Sequence, residues 1–190
     1  MTMTLTISWR RPSRLTSSIT TSSPPEHWTE KTVSKMMMPR CGVPDIINGT
    51  SSMRSAKKRH HHGMIHTTAH YSFFRGNPKW PSSKYHLTYG FLPGTPSNAM
   101  GSVARAFATW EGNTHFTFSQ AQSYENADLK ISFHKGAYDL ETVALHEIGH
   151  LLGLGHSSVE GAIMFPTIRP GVTQSLHGDD VQGIKALYNV

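Results

Sequence analysis

The sequence predicts a mixed α/β domain of the α+β kind, a twisted sheet with three helices, across residues 71–190. Three observations carry this. Short segments with an apolar residue at every second position lie between longer segments with apolar residues at helical spacing. Proline and glycine punctuate the joins. Two of the helical segments open on a polar residue suited to capping.

The first strand is marked by Tyr85, Leu87, Tyr89 and Phe91, which alternate with other residues as one buried face requires. Pro93-Gly94-Thr95-Pro96 then breaks the chain, and Ser97 or Asn98 caps a first helix. Its stripe is Met100, Val103, Ala104, Phe107 and Trp110, which reads as core. Phe116 with Phe118, and Leu129 with Ile131 and Phe133, give two further strands. A second helix begins near Asp139, its apolar stripe running through Leu140, Ala144, Ile148 and Leu151. The third begins around Asp179, with Val181, Ile184, Leu187 and Tyr188 turned inward.

Upstream, the composition changes. Residues 1–35 form an atypical segment, rich at first in Ser, Thr, Pro and Arg with no acid before Glu26, and disorder is the expectation. No continuous apolar core of a secretory signal is visible, and acid-poor openings of this kind also occur in organelle transit peptides. Residues 36–70 read as a linker around one ordered motif, Pro39-Arg40-Cys41-Gly42-Val43-Pro44-Asp45. Asn48-Gly49-Thr50 follows as a glycosylation acceptor, then a basic run and His60-His61-His62, read as a polar loop.

The formal charge of +6 gathers in Arg10, Arg11 and Arg14 and in the run Arg54, Lys57, Lys58 and Arg59. Without interleaved aromatic residues, that run is a solvated, protease-accessible linker and no nucleic-acid site is expected. A basic interaction module at residues 54–62 is the weakest functional reading. No apolar stretch approaches the length of a membrane span. Cys41 is the single cysteine, which excludes an intramolecular disulfide.

The chemistry lies in Val143-Ala144-Leu145-His146-Glu147-Ile148-Gly149-His150-Leu151-Leu152-Gly153-Leu154-Gly155-His156. Residues four apart on a helix share a face, so His146 and His150 present two imidazoles to one metal ion. Glu147 is rotated by about 100° from His146, which sets its carboxylate beside the metal as a general base. A third ligand leaves one zinc position open for water. His156 supplies it if Gly153 takes a positive φ, ends the helix and swings the chain back.

The pattern H-E-x-x-H-x-x-G-x-x-H resembles the metzincin signature, and Ser157 after the third histidine resembles the matrixins, or matrix metalloproteinases. Phrases such as Arg75-Gly76-Asn77-Pro78-Lys79-Trp80 and Ala127-Asp128-Leu129-Lys130-Ile131 are most similar to plant-type matrixins. The resemblance implies a metzincin-like catalytic domain that hydrolyses peptide bonds in protein or peptide substrates with catalytic zinc, as an extracellular monomer. It implies that Met164, in Ala162-Ile163-Met164, floors the zinc site, and that Phe165 and Pro166 form a wall of the S1′ pocket, whose depth also depends on Thr142. Pro39 to Asp45 matches the matrixin cysteine switch, in which Cys41 takes the open zinc position and Arg40 pairs with Asp45. By the same resemblance residues 36–70 are a pro-segment, Asp128 is a calcium ligand (a solvated loop acid being an equal reading), and Asp179 anchors the new N-terminus after processing.

The chain also departs from the family. Matrixins carry several dozen residues between the strand resembling Lys130–Phe133 and the zinc helix; here only residues 134–145 intervene. Two sheet strands, one of them the edge that pairs with substrate, and a structural zinc site are therefore expected to be absent. The alternative function is a zinc-binding pseudo-peptidase whose cleft no longer holds a peptide.

Overall fold

The computed structural model describes residues 3–7, 40–43, 45–47, 50–51, 70–133, 139–168 and 171–190. The acceptor Asn48, the basic run at 54–59 and His60–His62 lie outside the described residues, as does most of the expected disordered segment.

In chain order the strands are β1 (Met3–Ile7), β2 (Ile46–Ile47), β3 (Thr50–Ser51), β4 (His86–Phe91), β5 (Thr117–Gln120) and β6 (Leu129–Phe133). The helices are α1 (Ser97–Glu111), α2 (Leu140–Leu151) and α3 (Gly178–Tyr188). One sheet runs in the order β1-β6-β4-β5, and each neighbouring pair is parallel. The strands β2 and β3 form a separate antiparallel pair.

The three strands and three helices expected from periodicity are all present. Leu87, Tyr89 and Phe91 of β4 and Leu129 and Ile131 of β6 are buried, facing Val103, Phe107 and Trp110 of α1 and Ala144 and Ile148 of α2. The cap expected at Ser97 or Asn98 is not made: both lie inside α1, whose N-cap is Pro96 without a side-chain bond. Proline suits that place, its fixed φ leading into the helix. At α2 the cap is Asp139, whose Oδ1 accepts from the Thr142 amide at 2.8 Å. α3 starts one position before Asp179, with His177 as N-cap in a reciprocal capping box with Asp180. Val181 of its stripe is only half-buried.

A larger difference lies at the N-terminus. Disorder was the expectation for residues 1–35, yet Met3–Ile7 pairs with β6 along its whole length. The alternation Met3-Thr4-Leu5-Thr6-Ile7 is the period of a strand, with the β-branched residues strands favour. The bias toward Ser, Thr, Pro and Arg further along hides that short signal.

Two tryptophans fix α2 against its surroundings. Trp110 Nε1 donates to the Leu145 carbonyl at 2.9 Å, and Trp80 Nε1 to the Leu151 carbonyl at 3.0 Å. The Tyr188 hydroxyl donates to the Leu152 carbonyl at 3.0 Å and accepts from the Trp80 amide at 3.1 Å. Each polar tip meets a backbone carbonyl, two of them at or just beyond the helix end, so the large apolar rings are buried without an orphaned donor.

Candidate metal centre

α2 ends as the sequence requires. Gly153 has φ +97°, its amide donates to the His150 carbonyl at 3.0 Å, and the Leu154 amide donates to the Gly149 carbonyl at 3.0 Å. This pair of bonds is the Schellman arrangement, in which a left-handed residue closes the helix. A side chain at 153 would place its Cβ 2.5 Å from the Pro78 carbonyl oxygen, so glycine is required twice over. The chain then turns back and brings His156 to the two helix histidines. Ring centroids lie 4.7 Å apart for His146–His150, 5.3 Å for His146–His156 and 5.0 Å for His150–His156.

Each imidazole is held by its Nδ1. His146 Nδ1 meets the Ile163 carbonyl at 2.6 Å, and His150 Nδ1 meets the Leu154 carbonyl at 2.8 Å. His156 Nδ1 meets the carboxylate of Asp45. Carbonyl and carboxylate oxygens only accept, so Nδ1 carries the proton in all three rings and Nε2 keeps a lone pair. Burial drives all three toward the neutral form, with neighbouring charge adding to it. His146 is held well below the usual 6.5, His150 falls to about 3 and His156 to about 4.

Cys41 joins them, and one ligand atom from each of Cys41, His146, His150 and His156 lies within 4.8 Å of the others. The Cys41 sulfur is 3.5 Å from His150 Nε2, and its S–H points to Glu147 Oε1 at 3.7 Å. His156 Nε2 is buried with no hydrogen-bond partner. Three neutral imidazoles and a sulfur around one point suit zinc in donor type and number. Burial and the nearby Glu147 push the thiol up to about 12, so it is the positive charge of a bound metal that would favour its thiolate. Burial also lifts the Glu147 carboxyl to about 7, despite the Cys41 hydrogen bond.

The residues expected to form the floor and wall lie in the turn after His156. Met164 is buried against α2 so closely that a Cβ on Gly149 would lie 2.3 Å from its sulfur. Pro166 is buried and Phe165 half-buried. The Arg40–Cys41 segment lies along these residues: the Cys41 amide donates to the Pro166 carbonyl at 3.0 Å, and Arg40 bridges Thr167 in antiparallel sense. Arg40 also pairs with Asp45.

Two further expected site residues sit in hydrogen-bond networks. Asp128, expected as a calcium ligand or equally as a loop acid, pairs through Oδ1 with Lys84, while Oδ2 accepts from the Thr88 amide and hydroxyl at 3.0 Å. Burial tends to raise its pKa, and these bonds outweigh that and lower it. The carboxylate is spent on tying β4 to the loop before β6. Thr142, expected to influence the depth of the S1′ pocket, is fully buried, donating to Asp139 at 2.6 Å and accepting from the Gln174 amide at 3.0 Å. It fastens the segment after the wall to the start of α2.

One residue escaped the sequence reading. Asp180 accepts from the amides of Ile163 at 2.9 Å, Met164 at 3.1 Å and His177 at 2.8 Å. Asp179–Asp180 at a helix start reads as dipole complement. Its partners lie too far back in the chain for local periodicity to find. Asp179 itself accepts from the Ser157 hydroxyl at 2.7 Å and the His70 amide at 3.1 Å.

A family model described as matrixin matches residues 79–139 and 134–189. The chain belongs to the matrixin family. The two stretches meet between β6 and α2, where the matrixin pattern is interrupted. This matrixin is similar to Metalloendoproteinase 2-MMP of Arabidopsis thaliana, 34% identical over 213 residues, covering 83% of this chain and 56% of the relative. With Metalloendoproteinase 1 of Glycine max it is 34% identical over 209 residues, covering 84% and 66%. With Interstitial collagenase B of Mus musculus it is 31% identical over 217 residues, covering 90% and 40%. This matrixin therefore spans about half to two thirds of the length of its plant relatives. The aligned lengths of 213, 209 and 217 exceed the 190 residues here, so the relatives carry residues without a counterpart in it. Among the described residues, no helix is long and apolar enough to cross a membrane.

Proposed function

We propose that this matrixin is the latent form of a zinc-dependent endopeptidase. The observation that carries the reading is the donor set: three neutral histidines, each held through Nδ1, converge with Cys41 beside the Glu147 carboxylate. His146, His150 and His156 would hold the metal, with Cys41 as the inhibitory fourth donor. A bound zinc would supply Lewis acidity toward a water and a peptide carbonyl. Glu147, lifted to about 7, takes the proton from the attacking water and passes it to the leaving amine. Met164 packs under the histidines, and the Phe165–Pro166 main chain lines the substrate side. The antiparallel contact of Arg40 and Cys41 with this wall supports it as the peptide-binding surface. Protein substrates and an extracellular location follow from the family reading.

The test is cleavage of an internal bond of a generic peptide after removal of the pro-segment. Activity that a chelator abolishes, and that Glu147→Ala lowers by about 10²–10⁴-fold, supports the proposal. The interrupted stretch before α2 favours a second reading, a pseudo-peptidase. One equivalent of bound zinc without turnover, in protein whose folding is intact, selects that reading.

A further inference from the structure

The strand that borders the interrupted stretch is β6, and one of its edges is paired with a segment from the far N-terminus. The register runs Met3↔Leu129, Thr4↔Lys130, Leu5↔Ile131, Thr6↔Ser132 and Ile7↔Phe133. On the other edge β4 pairs across Leu129–Ile131, so β1 follows β6 two residues further. β1 also packs against α2, the helix that carries His146 and His150. An open strand edge presents a row of unpaired N–H and C=O groups, a standing template for another chain. Here the chain covers that edge with its own residues.

We propose that Met3–Ile7 and the cysteine switch act together as a two-point clasp. Cys41 grips the metal centre while Met3–Ile7 grips the outer edge of β6. The role of Cys41 rests on the zymogen reading above; the strand pairing does not. Both grips lie on the N-terminal side of the basic run Arg54–Arg59. A cut in that run leaves them on one fragment, held at two places on the catalytic unit. Linking two contacts raises overall affinity by about 10²–10⁴ over either alone, provided both engage together. Cutting the linker therefore does not free the site, and release requires the β1–β6 pairing to open. The occupant of the edge is this chain's own Met3–Ile7, and a second copy donating the same strand is the competing outcome.

Two measurements on the full chain test this. The first is hydrogen exchange on the uncut monomer, which needs neither zinc nor activity. Thr4–Ile7 amides directed at β6 are expected to be protected together with those of Leu129–Phe133. Exchange of all Thr4–Ile7 amides at free-peptide rates overturns the proposal, as does protection confined to a dimeric fraction. The second uses a chain whose His60-His61-His62 stretch is replaced by the recognition sequence of a specific protease. After cleavage, the N-terminal fragment is expected to co-elute with the catalytic unit on size exclusion. Adjacent residues of a parallel strand direct their N–H groups to opposite sides, so proline should act at one of Thr4 and Leu5 more than at the other. Of Thr4→Pro and Leu5→Pro, one is expected to release the fragment at least about tenfold faster, with α1 and α2 amide protection unchanged. Equal release from both variants and the parent chain overturns the clasp. If a variant fails to fold, hydrogen exchange on the parent chain decides alone.

Discussion

Asp180 and His146 are linked through a single residue, Ile163. The Asp180 carboxylate accepts from the Ile163 amide at 2.9 Å, and the Ile163 carbonyl accepts from His146 Nδ1 at 2.6 Å. A carboxylate on α3 thus fixes the turn whose carbonyl sets the tautomer and angle of a histidine on α2. Asp180→Ala removes the acceptor for three amides and frees that turn. Zinc affinity is expected to fall roughly 10–100-fold, the usual effect of losing a group that orients a metal-binding histidine. Competition with a chromophoric chelator measures it. An unchanged affinity in folded Asp180→Ala would show that the turn holds itself.

Gly149→Ala probes the floor. The added Cβ would lie 2.3 Å from the Met164 sulfur and 3.2 Å from a Trp110 ring carbon. Helix propensity favours alanine, but overpacking a closed core costs about 1–3 kcal/mol and should win. The denaturant midpoint of the variant is expected below that of the parent. A higher midpoint would mean that Met164 moves aside freely.

The uncut Cys41→Ala chain is expected to cleave a short peptide faster than the uncut parent. A rise of roughly an order of magnitude corresponds to about 1.4 kcal/mol of lost contact at the site. Equal rates in the two uncut chains would show that latency does not depend on the thiol.

His115 predicts a pH dependence of stability. Both ring nitrogens are buried without a hydrogen-bond partner, and the ring packs 4.2 Å from Tyr85 and 4.3 Å from Phe116. Burial holds its pKa below 6.5, so in the acid range the unfolded chain binds a proton that the folded chain refuses. The stabilisation is present in full above about pH 6.5 and declines as pH falls toward the folded-state value. Urea midpoints at saturating zinc should drop more steeply from pH 7 to pH 5 in the parent than in His115→Phe. Parallel profiles would remove His115 from the account.

The metal centre was legible because its grammar is local. Two histidines one turn apart, a glycine free to take positive φ, and a histidine beyond the turn all lie within eleven residues, His146 to His156. The three strands of residues 85–133 were legible for the same reason, through alternation. What escaped was long-range. Asp180 finds Ile163 and Met164 across a loop, and Thr142 finds Gln174. Asp128 bonds to Lys84 and Thr88, which come from another part of the chain. β1 pairs with a strand more than a hundred residues away, and no local signal names a partner at that distance.

The most direct test of the central claim is zinc stoichiometry of the purified full chain, measured together with that of His156→Ala. One tightly held equivalent in the parent, with affinity lost in the variant, is the expected result. A folded parent that holds no zinc at neutral pH, or a His156→Ala chain that binds it equally well, would contradict the assignment of His146, His150 and His156 as the metal centre.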